Sequence, residues 1–307
     1  MRSERFDTPR PIRLDVRLGA GRVELETDHA SETTVELEPL RDNEASHEAV
    51  ETARVELLER SERPELVVDV RGRSRIFSRG AEVLVRVSCP AESSAEIRTG
   101  SADVEGRGLF ASVDVESGSG DVQFSDVSRD ARVSAASGDV QVRAIGGEAS
   151  VNTASGDVQL AQIGGDGRVN TASGDVMIRE AGGDLRVNTA SGDVLVRKVR
   201  GSLTVNTASG DQQIGSVERG NVDLKSASGD LKIGIKQGSR LFVDARSRSG
   251  EVRSELEVSD APPAGEDADE GPLVELRANT MSGDITVTRA SHARDSSGPA
   301  EPTPGVA

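Results

Sequence analysis

The chain has 307 residues, with no Trp, no Tyr and five Phe, and only 35% of its residues are apolar. A thick core built on aromatic side chains is therefore not expected, and the 33 Gly residues indicate many tight corners. The formal net charge of −16 disfavours binding to nucleic acid or to an anionic membrane surface.

The N-terminal residues predict neither export nor membrane insertion. Their positive charges are not followed by the apolar run of a secretory signal, and no stretch approaches the length of a membrane span. The single cysteine, Cys89, excludes an intramolecular disulfide, and its Val/Ser context favours a buried, inert thiol. We therefore expect a soluble cytoplasmic protein.

The first third of the chain predicts irregular β-structure. Residues 1–10 are expected to be flexible, and residues 11–95 to form longer coils and hairpins that cap one end of the molecule. The segment LDVRLGAGRVEL has the phase of a coil in which Arg22 takes the place of an acid. The basic stretch Arg71–Arg79 is interpreted as a solvated turn, with a partner site as the alternative.

Residues 96–289 contain a repeat whose corner motif is Ser-Gly followed by an acid. The acid recurs every 18 residues at Asp121, Asp139, Asp157, Asp175, Asp193 and Asp211, and Asp103 extends this register upstream. The next acids are Asp230, Glu251 and Asp284, at longer intervals. The period therefore drifts by insertion while the corner motif persists.

Each 18-residue unit divides into two similar halves that read as short strands. Val176 and Ile178, and then Leu185 and Val187, alternate with polar neighbours at the period of two. Frequent Gly and β-branched residues oppose a helix. We therefore predict an all-β fold, a parallel β-solenoid with about 18 residues per coil, roughly ten coils and a length of about 50 Å.

Columns of aliphatic side chains are expected to fill the solenoid. One inner column is Val133, Val151, Val169, Val187 and Val205, and a second is Val140, Val158, Val176 and Val194. At the corners, Ile145, Ile163, Val199 and Val217 supply larger residues. Opposite them the sequence predicts small inward residues at Ala136, Ala154, Ala172, Ala190 and Ala208.

Two further segments interrupt or follow the repeat. Residues 260–272 combine Pro, Gly and acidic residues and predict a mobile acidic loop between two coils, with a binding site as an open alternative. Residues 290–307 predict a disordered tail. We expect the N-terminal cap and this tail to oppose end-to-end stacking, which leaves a monomeric or weakly associating rod.

The SGDV corners, the GAGRVEL segment and the weakly periodic N-terminal third resemble an uncharacterised bacterial family, the putative adhesins or β-strand repeat-containing proteins of unknown function. The resemblance covers roughly residues 10–290. It implies a right-handed, single-stranded β-helix-like fold. It transfers no catalytic, metal or cofactor residue to this chain.

The repeated polar residues have a structural and a functional interpretation. The corner acids could be calcium ligands, as in β-rolls, but the G-G-x-G-x-D pattern of those proteins is missing. We therefore interpret the acids as turn residues whose carboxylates accept hydrogen bonds from local backbone N–H groups. The column of Asn152, Asn170, Asn188 and Asn206 predicts an amide ladder, with a ligand-binding face as the alternative. The neighbouring threonines should point inward, which opposes an ice-binding array.

An enzyme is the remaining class, because β-helices can carry carbohydrate-active sites. Such sites need a break in the repeat that gathers acids, bases or aromatic platforms, and no spacing here selects a pair among 53 acidic residues. His29, His47 and His292 fall outside the regular coils. The sequence therefore predicts a noncatalytic scaffold that presents a long surface for protein interaction or self-association, with no cofactor, metal or small-molecule ligand.

Overall fold

The computed structural model describes residues 1–28, 31–59, 63–70, 80–256 and 271–290, and nearly all of their regular structure is β-strand. The first part of the chain contains β1 (Arg2–Asp7), β2 (Arg13–Asp28), β3 (Glu32–Pro39), α1 (Glu44–Thr52), β4 (Arg54–Leu58), β5 (Glu65–Asp69), β6 (Val83–Pro90) and β7 (Ser94–Phe110). β7 runs across the boundary predicted between residues 95 and 96.

The regular repeat follows as pairs of strands. They are β8 (Val113–Ser119), β9 (Val122–Val127), β10 (Ala131–Ser137), β11 (Val140–Ile145), β12 (Ala149–Ser155), β13 (Val158–Ile163), β14 (Gly167–Ser173), β15 (Val176–Ala181), β16 (Leu185–Ser191), β17 (Val194–Val199), β18 (Leu203–Ser209) and β19 (Gln212–Val217). The last strands are β20 (Gly220–Ser228), β21 (Leu231–Ile235), β22 (Arg240–Ser247), β23 (Val252–Ser254), β24 (Leu273–Ser282) and β25 (Ile285–Arg289).

From β8 to β19, successive coils stack as parallel strands in 18-residue register, so the predicted parallel β-solenoid is confirmed. Val151 of β12 pairs with Val169 of β14, which pairs with Val187 of β16. On the opposite side, Val158 of β13 pairs with Val176 of β15. All five of these valines are buried. We call the outer surface of β8, β10, β12, β14, β16, β18 and β20 the Asn face, and that of β9, β11, β13, β15, β17, β19 and β21 the Gln face.

The glycine of each Ser-Gly-Asp corner is required by both conformation and space. Gly174 has a φ of +133°, in the region that residues with a Cβ rarely adopt. A Cβ added there would lie 2.1 Å from the carbonyl oxygen of Gly156 in the neighbouring coil. The corners therefore stack backbone against backbone, which explains why the motif repeats with so little change.

The corner aspartates accept hydrogen bonds along the rod. Oδ1 of Asp157 accepts from the backbone N–H of Asp175, at 2.9 Å, in the next coil, and Oδ1 of Asp175 accepts from Asp193 at 2.8 Å. The predicted role as a backbone acceptor is correct, but the predicted local partner is wrong. Because the donor lies 18 residues away, each carboxylate ties two coils together.

The predicted inward position of the repeated alanines is wrong. Ala136, Ala154, Ala172, Ala190 and Ala208 are all exposed on the Asn face. The reason is strand alternation, because Val151 and Thr153 point inward and the residues between and after them point outward. The inward position beside the corner is taken by threonine, and Thr153, Thr171, Thr189 and Thr207 are buried as predicted.

One valine column ends at a buried polar residue. Gln212 follows Val194 in register and is fully buried. Its Nε2 donates to Oγ1 of Thr207 and to the backbone carbonyl of Lys225, both at 2.9 Å. Among the described residues its Oε1 has no hydrogen-bond partner, so this coil carries an uncompensated polar atom in the core.

The order of the layers differs from the order of the chain at both ends. β2 lies between β7 on one side and β5 and β6 on the other. At the other end, β24 pairs with β20 and with β22, and β25 pairs with β21 and with β23. The parallel strands form twelve layers, from β5 and β6 at one end to β22 and β23 at the other. At each end, the strands that come closer to the chain terminus in sequence lie in the second layer, and strands from further inside the sequence form the outermost layer.

The N-terminal end is closed by antiparallel strands and a helix. β1 pairs with β3 and β3 with β6, whereas β4 pairs with β5, all antiparallel. Residues 2–7 are thus an ordered strand, which differs from the predicted flexible residues 1–10. Helix α1, which the repeat pattern did not predict, begins after Asn43, whose side chain accepts from the N–H of Ser46 at 2.8 Å.

Several predictions concern residues that the structure does not describe or describes only in part. Arg71–Arg79, residues 257–270 of the acidic loop region and residues 291–307 of the tail lie outside the described residues. Cys89 is fully buried, and burial raises the pKa of its thiol to about 12. The predicted buried, inert thiol therefore matches its position. No helix in the described ranges is long and apolar enough to cross a membrane.

Candidate interaction surface

The amides of the Asn face form a continuous hydrogen-bonded ladder. Nδ2 of Asn170 donates to Oδ1 of Asn152 at 2.8 Å, and Nδ2 of Asn188 donates to Oδ1 of Asn170 at the same distance. Asn206 donates in turn to Asn188 at 2.9 Å. The predicted ladder is present, and its geometry follows from in-register stacking at about 4.8 Å. The ladder holds four coils at one spacing.

The exposed alanines run beside this ladder and form a shallow trough. Its floor is the row Ala136, Ala154, Ala190 and Ala208, and the Asn ladder forms one wall. Alanine has a low preference for strands, and these side chains do not pack in the core. A row of small outward residues leaves the strand surface flat and open along five coils.

A charged groove lies on the other side of the Asn ladder. One wall carries Arg132, Arg168 and Arg186, and the other carries the acids at the second corner of each coil, Asp130, Glu148, Asp166 and Asp184. Arg168 and Arg186 are adjacent in register, and in the described part of the chain neither has an ion-pair partner. Like charges at strand spacing repel each other, so an acidic group that binds here would relieve that repulsion.

The acids of the groove also accept hydrogen bonds from the backbone of the next coil. Oδ1 of Asp166 accepts from the N–H of Asp184, and Oδ1 of Asp184 accepts from the N–H of Ser202, both at 2.8 Å. Each carboxylate therefore has one oxygen in the scaffold and the other available at the surface. The groove combines fixed acids with free guanidinium groups.

An ion-pair cluster closes the N-terminal end of the groove. Arg13 donates to Glu96, and Arg98 lies against both Glu96 and Asp15. The hydrogen bond from Arg13 lowers the pKa of Glu96, against an opposing effect of burial, and Arg98 lowers it further. The cluster links three layers, because Asp15, Glu96 and the exposed Glu116 lie on successive strands.

The Gln face has a different character. Gln123, Gln141, Gln159 and Gln213 recur in one outward column, in which Met177 is exposed. Near its corner, Lys198 bridges Glu180 at 3.5 Å and Glu218 at 3.4 Å. Burial raises the pKa of Glu218, but hydrogen bonds from Lys236 and Lys198 outweigh it, so the pKa is lowered. Lys198 therefore neutralises Glu180 and Glu218 within the chain, whereas Arg179 and Arg197 on the same face are exposed.

The structure brings together no obvious catalytic or metal-ligating set within the described ranges. No three His, Cys, Asp or Glu side chains converge there to hold a metal ion. His47 lies on α1, exposed, with Nε2 3.0 Å from Oδ1 of Asp42. His29 and His292 lie outside the described residues. The surface features are thus periodic rows along the rod.

The sequence predicted the Asn ladder but missed the trough and the charged groove. Both were visible as period-18 columns, since Arg168 and Arg186 recur at the same offset from the corner as Arg132, with Ser150 between them. The missing step was to apply the two-residue alternation to every position of the unit, including the alanines.

The whole solenoid, from β2 to β25, coincides with one family model. The Toastrack DUF4097 model matches residues 13–288. The chain belongs to the Toastrack DUF4097 family. The predicted resemblance to an uncharacterised family of adhesin-like repeat proteins is thereby confirmed at the level of the family. None of the curated proteins matches this Toastrack chain.

Several solved structures resemble the Toastrack chain distantly. A putative cell adhesion protein from Clostridium sporogenes shares 10% identity, with 94% of this chain and 99% of that one covered and a TM-score of 0.28. A putative lipid binding protein from Parabacteroides distasonis shares 11%, with 94% and 96% covered and a TM-score of 0.41. A putative adhesin from Parabacteroides merdae shares 10%, with 92% and 95% covered and a TM-score of 0.30. Likenesses this distant carry no argument about what this chain binds.

Proposed function

We propose that this protein is a noncatalytic scaffold whose long side surface binds a protein partner or other copies of the chain. One observation carries the proposal: on the Asn face the trough, the ladder and the charged groove lie side by side in register, with the ladder continuous from β12 to β18. An enzyme site needs a local departure from the repeat that gathers reactive groups, whereas the outward Asn and Ala positions recur unchanged from β12 to β18.

The chemistry of the Asn face favours an extended protein segment as the partner. The trough offers small apolar side chains beside amides that keep one free N–H each, which suits a chain with alternating apolar and polar groups. The groove next to it offers Arg168 and Arg186 to acidic side chains. The net charge of −16 opposes nucleic acid, and the cytoplasmic location expected from the sequence remains part of the proposal.

Capture of partners on face-specific variants tests this proposal. Ala172→Arg combined with Ala190→Arg fills the trough with exposed side chains, and Gln141→Arg combined with Gln159→Arg makes the matched change on the Gln face. All four positions are exposed, so both variants should keep the β circular dichroism of the wild type.

We expect wild type and the Gln-face variant to retain the same protein from native extract and the Asn-face variant to lose it. The retained protein is then purified and its binding to the three forms is compared in solution. Equal binding by all three forms, or no reproducible protein, would contradict the Asn face as the interaction surface.

A further inference from the structure

The two ends of the rod are built differently. At the N-terminal end, α1 buries Ala49 and Val50, and the outer strand β1 carries alternating charges, with Arg2 and Glu4 paired at 2.6 Å. Charged edge strands resist pairing with other chains. At the C-terminal end, β22 and β23 pair inward with β24 and β25, and no other described strand covers their outer edges.

In the part of the chain that the structure describes, no strand covers the core of the solenoid at this C-terminal end. Leu241, Val243 and Ala245 continue inner columns of the rod, yet each is only half-buried. Val252 is 47% exposed, whereas its neighbour in the same column, Ile285, is fully buried. The last layer thus has inward-facing apolar side chains with nothing described stacked on their outer side.

Exposed apolar residues concentrate at the same end. Eight large hydrophobic residues are exposed in the described ranges, and four of them lie in the last two layers: Phe242, Val252, Leu273 and Met281. Phe242, at 63% exposure, projects outward from the edge strand β22. Such clustering is typical of a contact surface rather than of isolated surface residues.

If the edge strands of two copies pair antiparallel, each strand places its charges opposite charges of the other sign on the second copy. On β22, Asp244 and Arg246 flank the inward residue Ala245. An antiparallel pair centred on Ala245 places Asp244 of each copy opposite Arg246 of the other. On the second edge, Arg253 and Glu255 flank Ser254 in the same way. Opposite charges in directly facing positions stabilise a strand pair.

The two centres lie across the core from each other. Ala245 belongs to the column of Val205, and Ser254 belongs to the column of Ile214. The hydrogen bond from Gln212 to Thr207 shows that Gln212 and Thr207 face each other across the core, on either side of the corner at Gly210. Moving two residues further from this corner along each strand gives the next facing pair, Val205 and Ile214. One two-fold axis perpendicular to the rod can therefore pass through both centres.

We propose that two copies of this chain join end to end through β22 and β23, with both strand pairs antiparallel and the open core ends in contact. The inference rests on the proposed scaffold function and names a second copy as one partner. The interface is isologous, so each copy uses the one end that is open among the described residues, and assembly stops at the dimer. It replaces the monomeric or weakly associating rod expected from the sequence.

Two charge variants that should repel themselves but attract each other test the strand register. Variant one combines Asp244→Arg with Glu255→Arg, so both edges of the end layer become basic. Variant two combines Arg246→Asp with Arg253→Glu, so both edges become acidic. The changed residues are exposed or half-buried, and circular dichroism confirms that each variant is folded. Full-length wild type and both variants are examined by sedimentation equilibrium over a range of concentrations.

Wild type should sediment as a dimer, and each variant alone should show a dissociation constant at least about tenfold higher, since four facing pairs become repulsive. An equimolar mixture of the variants should recover the dimer. Wild type that stays monomeric, variants that dimerise like wild type, or a mixture that fails to recover would overturn the end-to-end dimer.

The side-face variant separates this inference from the proposed function. Ala172→Arg combined with Ala190→Arg should leave the dimer intact. Dimerisation that this variant abolishes, and that the end variants leave unchanged, would overturn the end-to-end arrangement while supporting self-association through the Asn face.

Discussion

At the scale of single residues, the alternation of inward and outward positions decides the role of each repeated side chain. Val187 is fully buried in an inner column, whereas the next residue, Asn188, lies in the outer ladder with hydrogen bonds to both neighbouring coils. The same rule explains the error over the alanines, which were assigned to the core because they are small and apolar although their phase is outward.

Val187→Asp should strongly destabilise the fold, because the carboxylate would be buried among valines without a partner. We expect a loss of about 4 kcal/mol or more in the free energy of unfolding, measured by denaturant titration. Asn188→Ser is the adjacent control and should lose about 1 kcal/mol, because it removes only ladder hydrogen bonds. Equal stabilities of the two variants would contradict the assigned strand faces.

The ion pair between Glu96 and Arg13 should make stability depend on pH. The pKa of Glu96 is lowered in the folded protein, so its contribution is present above the unfolded pKa of about 4.3 and is lost as the pH falls through the folded value. Glu96→Gln should therefore be less stable than wild type by about 1 kcal/mol at pH 7, with the difference vanishing in acid.

The measurement for Glu96 is the free energy of unfolding at several pH values. Glu116→Gln provides the control, because Glu116 is 63% exposed and contacts Arg98 at 3.4 Å, so its loss should cost less at pH 7. A Glu96→Gln deficit that persists unchanged at low pH would show that the side chain acts through packing rather than through charge.

At the scale of strands, the exchange of layers at the C-terminal end is the main departure from the sequence prediction. The acids Asp230, Glu251 and Asp284 suggested three layers in chain order, but the layer of Asp284 lies between the other two. All three layers share the Ser-Gly-acid corner, so the corner motif does not determine their order. The layer of β24 and β25 therefore pairs with strands on both sides, which fixes the last described strands of the chain in the rod.

Engineered disulfides can determine this order directly. Asp223 of β20 and Arg277 of β24 are register partners, and parallel strand partners lie about 4.8 Å apart, within the range that a disulfide spans. Asp223→Cys with Arg277→Cys should therefore cross-link under mild oxidation, detected as a mobility shift on non-reducing gels. The buried Cys89 should not compete.

The control pairs Asp223→Cys with Asp244→Cys, which the structure separates by two strand spacings, or about 9.6 Å. This pair should stay reduced, because a disulfide needs Cα atoms within about 7 Å. The reverse result, in which only this pair cross-links, would establish that the layers follow the order of the chain.

At the scale of the whole molecule, the rod is held by contacts between neighbouring layers. Three elements run along it: the aliphatic columns, the Asn ladder and the corner aspartates that accept backbone hydrogen bonds from the next coil. None of these contacts requires a metal ion. The two ends of the rod differ: antiparallel strands and a helix cover one, and no described strand covers the other.

Removal of divalent cations should leave this rod unchanged. Because the carboxylates of the corners are held by backbone N–H groups, we expect the β circular dichroism and the melting temperature to be the same with and without chelator. A melting temperature that falls on chelation and returns on addition of calcium would favour a calcium-binding roll instead.

The sequence by itself determined the solenoid, its period and the two inner valine columns. Gly at the corners, valines at alternate positions and the 18-residue spacing each restrict the backbone locally, and identical coils stack best on themselves. Even Arg22 was placed correctly, since it pairs in register with Asp103.

Only the tertiary structure decided the order of the end layers, the helix-capped N-terminal end and the C-terminal end that no other described strand covers. These features depend on which strand edge meets which, over long separations in the chain, and many edges of this repeat are alike in sequence. The exposed trough was decided by phase, which the sequence contains but which composition alone hides. Local chemistry thus determined the coil, and long-range pairing determined how the rod begins and ends.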